Sequence, residues 1–140
     1  MNSKLAIKIM LWALAGIIFF HFTVIFKLVP FEITWGGRLK SDMEMYIFES
    51  ISILLNLLLC TALLIKATYL KEVISMKFVN IILWFFLFLF VLNTIGNLFA
   101  KTHIEKFFAI LTFMFSLLIF IILKKKPQDK FYRNSSTKKS

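Results

Sequence analysis

The chain is poor in the residues that most chemistry needs. Among 140 residues it has one cysteine, two histidines, two prolines and four glycines, and 7 acidic side chains against 17 basic ones. The lone thiol, Cys60, cannot close an internal disulfide, which excludes a disulfide-exchange enzyme. Inside an apolar run it reads as a small buried residue. His21 and His103 stand in no spacing with Cys, Asp or Glu that a metal site requires, so neither metal nor cofactor is expected. No nucleophile–base pair is visible either, and the connections are short, so an enzyme is not expected. Internal repeats are missing, and there is no room for a soluble appendage beyond a short tail.

What is present is apolar length. The chain is 60% hydrophobic, with 18 phenylalanines, and its apolar runs reach the roughly 20 residues that cross a bilayer. The expectation is an all-α, integral membrane four-helix bundle with short connections. Its spans are predicted at 5–28, 43–65, 78–99 and 107–123, within a membrane domain of residues 1–123. Lys4 and Lys8 ahead of the first run resemble the start of a signal peptide. The run continues past Ala13-Leu14-Ala15 to Phe26, too long for a cleaved segment, so it reads as an uncleaved anchor. Pro30 ends it. Ser41 or Asp42 can cap the second span, with Glu44 favoured in its first turn. The fourth span is stopped by Lys124-Lys125-Lys126-Pro127, and residues 124–140 read as a basic, disordered tail.

The formal charge of +10 would point to nucleic acid in a soluble protein. Here it sits at the ends of apolar runs, where it sets topology and meets anionic lipid, so no nucleic acid partner is expected. Twelve of the basic residues fall at the amino terminus, the second connection and the tail, and five at the first and third connections. The positive-inside rule then places both termini in the cytoplasm. Lys124, Lys125, Lys126, Lys130 and Arg133 would lie on anionic headgroups at that face. Asn134-Ser135-Ser136 matches the glycosylation pattern but falls on the cytoplasmic side. Trp35 would mark the outer interface, with Trp12 and Trp84 near the inner one.

Each predicted span carries a polar side chain about 8–10 Å below its outer end, counting 1.5 Å per residue. These are His21, Glu49, Asn93 and Thr112. Ser52 and Asn56 follow Glu49, and Asn97 follows Asn93, at one-face helical spacing. Gly96 and Ala100 form a small-xxx-small pair that lets helices approach closely. The expectation is that these faces of the second and third spans meet. A lipid-facing carboxylate is costly, so Glu49 should point into the bundle. Two readings of the cluster stay open: polar glue that fixes the packing, or an outward-facing pocket for a proton, cation or small ligand. In the first loop, Trp35-Gly36-Gly37-Arg38 allows a tight turn with positive φ. Arg38 can pair with Asp42 or Glu44 or meet lipid phosphate, or it can fold over the mouth towards Glu49.

Trp35-Gly36-Gly37-Arg38-Leu39, Phe48-Glu49 and Asn56, with Asn93-Thr94-Ile95-Gly96-Asn97-Leu98, Ala100-Lys101 and Glu105-Lys106, resemble a family of small four-span bacterial membrane proteins without assigned activity. The resemblance covers roughly residues 5–123. It implies a bacterial cytoplasmic membrane and four helices, and no activity. Two functions are therefore carried forward. One is a non-enzymatic accessory, sensor or assembly protein, with a homo-oligomer or another membrane protein as partner. The other is a small oligomeric carrier or channel that uses Glu49 as a proton or cation site.

Overall fold

The computed structural model describes residues 2–33, 38–71, 73–99 and 103–124, without the side chains of Ile33 and residues 103–105. Within them the chain is all-helical. Four helices, α1 (Ser3–Ile25), α2 (Asp42–Lys66), α3 (Met76–Leu98) and α4 (His103–Lys124), are joined by connections that include one 3-10 turn, Phe31–Ile33. All four are long and apolar enough to cross a membrane, the mark of a multi-pass membrane protein.

Local chemistry sets the helix ends. Asn2 caps α1 by accepting from the Lys4 amide, so the helix begins ahead of its apolar run. It ends at Ile25 rather than near Pro30. Lys27 takes a left-handed conformation (φ 56°), and the Leu28 and Lys27 amides bond back to Thr23 and Val24 carbonyls, a Schellman closure. The same closure ends α2. Thr68 sits at φ 63°, and the Tyr69 and Thr68 amides return to Leu64 and Ile65. Ser41 caps α2 through the Glu44 amide, and Glu44 reaches back to the Lys40 amide at 2.8 Å. Ser75 caps α3. The fourth helix starts at His103, a full turn before the predicted Phe107, which brings it to 22 residues.

The helices alternate in direction, as contacts between the end of each and the start of the next show: His21 with Glu49, Lys66 with Asn80, and Thr94 with Thr112. They close a ring in which α1 adjoins α2 and α4, and α3 adjoins the same two. The α3–α4 contact is the most extensive and α2–α3 the least.

The bundle has two ends. The loop end carries the α1–α2 and α3–α4 connections, and the terminal end carries the amino terminus and the α2–α3 connection. Most of the packed core lies towards the terminal end. Ile7, Met10 and Leu14 of α1 meet Leu59 and Leu63 of α2, Val79, Leu83 and Phe86 of α3, and Phe115, Ile119 and Ile122 of α4. Phe90 and Phe115 pack edge to face at 5.2 Å between ring centres, a favoured aromatic geometry. A second, small cluster at the loop end joins Val24, Leu39 and Met45. Large apolar side chains such as Trp12 (81% exposed) and Leu54 (66%) cover the outside, a surface suited to acyl chains.

Candidate functional site

One line of residues on each helix faces the bundle interior, stepping by alternating threes and fours. On α1 it runs Ile7, Met10, Leu14, Ile17, His21, Val24. On α2 it runs Met45, Glu49, Ser52, Asn56, Leu59, Leu63, Lys66. On α3 it runs Val79, Leu83, Phe86, Phe90, Thr94, Asn97, with Asn93 one residue off it and exposed. On α4 it runs Phe108, Thr112, Phe115, Ile119, Ile122. Towards the terminal end these lines are apolar and mostly buried until α2's reaches Lys66. Towards the loop end each carries polar side chains, beside the buried apolar Val24 and Met45, and the polar part is the candidate site.

Its centre is a pair. His21 Nδ1 lies 2.5 Å from Glu49 Oε2, with the side chains 15% and 1% exposed. Glu49 is therefore turned inward, away from lipid. A hydrogen lies between the two atoms either as an imidazole N–H donating to a carboxylate or as a carboxylic acid donating to Nδ1. A short bond between ionisable partners is among the stronger hydrogen bonds a protein makes. It joins α1 to α2 across 28 residues of sequence, and the Phe20 ring stands beside the imidazole.

The other predicted residues divide. The Asn56 amide N–H donates to the Ser52 carbonyl at 2.8 Å, so both belong to α2's own inner face and are half-buried. Thr112 meets Thr94, hydroxyl to hydroxyl, at 2.9 Å. Thr94 also donates to the Phe90 carbonyl, and Thr112 bonds Phe108 and Ala109 carbonyls. Thr94 was missed from sequence. Its signal was its place four residues after Phe90, on the inward line of α3. Asn97 is half-buried and Asn93 exposed.

The expected meeting of the Glu49 face with the Asn93–Gly96 face through close backbone approach is not what the structure shows. A Cβ built on Gly96 would touch nothing within 4 Å, and Gly96 is exposed. The reason is angular. Gly96 lies about 100° from Asn97 around the helix, off the inward line that Asn97 continues. Among the described residues the loop half shows an α1–α2 pair, His21 with Glu49, and an α3–α4 pair, Thr94 with Thr112.

Arg38 is exposed. The two acids offered to it are otherwise engaged: Asp42 accepts from Lys27 Nζ at 2.6 Å and Glu44 from the Lys40 amide. The hydrogen bond to Asp42 raises the Lys27 ammonium above its ordinary value. At the terminal end, Lys66 Nζ donates to Asn80 Oδ1 at 2.6 Å, a contact unforeseen from sequence. Lys124 is exposed, its ammonium 5.0 Å above the Phe120 ring. Trp35, Gly36, Gly37, Ala100, Lys125, Lys126, Lys130 and Arg133 lie outside the described residues.

Among the described residues no three His, Cys, Asp or Glu side chains gather as a metal would need. No protein-family model, curated protein or solved structure matches the chain.

Proposed function

We propose that this is a non-enzymatic multi-pass protein of the bacterial cytoplasmic membrane, with both termini in the cytoplasm, acting as an accessory, sensor or assembly protein. In this reading the His21–Glu49 pair is its responsive element. The observation that carries it is the burial of an ionisable pair between two helices, since ionisable groups at membrane depth are costly and are kept for a role. Histidine is the common pH-responsive side chain. A change in the proton count of the pair alters the contact that holds α1 against α2, which a partner membrane protein or a second copy of the chain would read. The titratable groups nearest along these two helices are Lys27, Asp42, Glu44 and Tyr46. The basic side is assigned to the cytoplasm by the positive-inside rule, with the tail on anionic headgroups.

The test is thermal unfolding of purified protein in mild detergent from about pH 8 to about pH 5. The wild type should shift its midpoint across this range, and Glu49→Gln and His21→Gln should flatten the shift. An unchanged profile in both variants would sink the sensor reading.

A second reading is favoured by the polar inner lines on all four helices: a small oligomeric carrier or channel with Glu49 as its proton or cation site. Liposomes loaded with a pH indicator decide it. A carrier shows proton-coupled flux that Glu49→Gln abolishes while the protein stays folded. A sensor shows none in the parent.

A further inference from the structure

We propose that the chain forms a two-fold symmetric dimer through the exposed flank of α3, in which Asn93 hydrogen-bonds the same amide of a second copy and Gly96 lets the two helices close on each other.

Two independent observations meet on this flank. The first is an amide. Asn93 is exposed, one residue off the inward line that Phe90, Thr94 and Asn97 follow. It stands about 8 Å short of Leu98, the last residue of α3. A helix of 23 residues is about 35 Å long and the hydrocarbon layer about 30 Å thick, so the amide lies inside that layer. Other polar side chains in the spans donate to a carbonyl of their own helix: Asn56 to Ser52, Thr61 to Leu57, Thr94 to Phe90 and Ser116 to Phe113. Among the described residues nothing bonds the Asn93 amide. An amide left unbonded among acyl chains is costly.

The second observation is room. Gly96 is exposed, one turn nearer the helix end and about 60° round from Asn93. A Cβ built there would meet nothing within 4 Å, so a second backbone can come as close as glycine permits. Phe85, Leu92 and Phe99 stand exposed along the same helix, and residues 78–99 carry no charge.

Depth and chemistry select the occupant. Copies of one chain insert with the same orientation, so the two-fold axis of a dimer runs along the membrane normal. Residue 93 of one copy then faces residue 93 of the other at one depth. A carboxamide holds both a donor and an acceptor, so two of them related by that axis satisfy each other. A different membrane protein would have to bring its own unpaired polar group to that level. The inference stands apart from the sensor reading, because association is measured at one pH and does not report the proton on His21 and Glu49.

The test is resonance energy transfer between labelled copies. In a Cys60→Ala background, Lys40→Cys supplies an exposed thiol at the loop end for a donor or an acceptor dye. The two populations are mixed in phosphatidylcholine and phosphatidylglycerol vesicles, and transfer is followed as lipid is added. It should vary with acceptor fraction as a dimer requires. Asn93→Leu and Gly96→Leu should each raise the dissociation constant about tenfold or more. Asn93→Gln keeps the amide, and Gly16→Leu fills equally empty surroundings on α1; both should stay within about threefold of the parent. Only variants that unfold in dilute detergent where the parent does are compared, with Asn93→Ala and Gly96→Ile as replacements. Transfer in the parent no greater than random proximity gives, parent-like association of Asn93→Leu, or an equal loss with Gly16→Leu would overturn the proposal.

Discussion

His21 and Glu49 meet on the same seam as Lys27 and Asp42, six residues deeper on α1 and seven deeper on α2. That is about 10 Å along α2, with Lys27 just beyond the end of α1. The near-equal intervals are what two antiparallel helices in fixed register produce. The outer contact is exposed on both sides and the inner one is largely buried, so one seam carries a wet ion pair and a dry hydrogen-bonded pair with different energetics.

Removing one member of the dry pair should be costly. His21→Ala deprives a buried carboxyl of its imidazole and should destabilise the protein by about 3 kcal/mol or more. The double variant His21→Leu with Glu49→Leu removes both polar groups and should lose less than either single alanine variant. Unfolding in mild detergent, followed by circular dichroism, measures both. Strictly additive losses would show that the two side chains do not act as a unit.

The wet pair should be weak and salt-sensitive, because water and ions screen it. Its pH dependence has a definite sign. The Asp42 hydrogen bond raises the Lys27 ammonium above the ordinary 10.5, so the folded chain holds this proton more tightly than the unfolded one. The pair's contribution is complete below that ordinary value and is lost as pH rises through the folded one. The wild type should therefore be slightly more stable than Lys27→Gln at neutral pH. The difference should vanish at strongly alkaline pH or in about 1 M salt.

Thr68 offers a gain. A β-branched residue at φ 63° closes α2 in a position that suits glycine. Thr68→Gly relieves that strain and should stabilise the protein by about 1 kcal/mol, even though it removes the short bond from Thr68 Oγ1 to the Ala67 carbonyl. A Thr68→Asn variant should fall between. A lower unfolding temperature for Thr68→Gly would mean that the hydroxyl bond outweighs the backbone strain.

Within the core, truncation should follow position and not hydrophobicity. Lipid tails are as apolar as the bundle interior, so a buried side chain contributes through packing contacts. Phe115 is fully buried and packs against Phe90, so Phe115→Ala should cost about 3 kcal/mol or more. Ile110, 68% exposed, should be close to neutral as alanine. The comparison of the two unfolding midpoints is the measurement. Similar losses at both sites would mean that Ile110 is also covered in the assembled protein.

Four helices were readable because apolar length is a coarse signal that survives any arrangement of the spans. Glu49 facing inward was readable for a similar reason: a single carboxylate in an apolar run has few tolerable places. Its partner could not be chosen from sequence. His21, Asn93 and Thr112 stood at similar depths, and only the ring order of the helices puts α1 beside the Glu49 face. Lys27 with Asp42 escaped notice because Lys27 lies beyond a helix end whose Schellman closure has no glycine to announce it. That Thr94 and not Asn93 faces inward is set by the rotation of α3 about its own axis, which a run of adjacent polar residues does not reveal.

Gly96 separates two meanings of a small residue in a span. Read as part of a small-xxx-small pair it should sit where another backbone presses close, and any larger residue should disrupt the bundle. The open space above it gives a different expectation within one copy of the chain. Gly96→Ala should be neutral or raise stability by up to about 1 kcal/mol, since alanine loses less backbone freedom in a helix. Gly96→Leu should also fold, with its side chain in the surrounding lipid. Detergent unfolding of both variants, beside size-exclusion chromatography of the parent, makes the distinction. If both variants stay as stable as the parent, the glycine is incidental to packing. If Gly96→Leu lowers stability and also shifts the parent's elution to a smaller species, the surface above Gly96 is occupied by a second copy of the chain, and the exposed Asn93 amide one turn away, donor and acceptor at once, would then be the group that pairs across it.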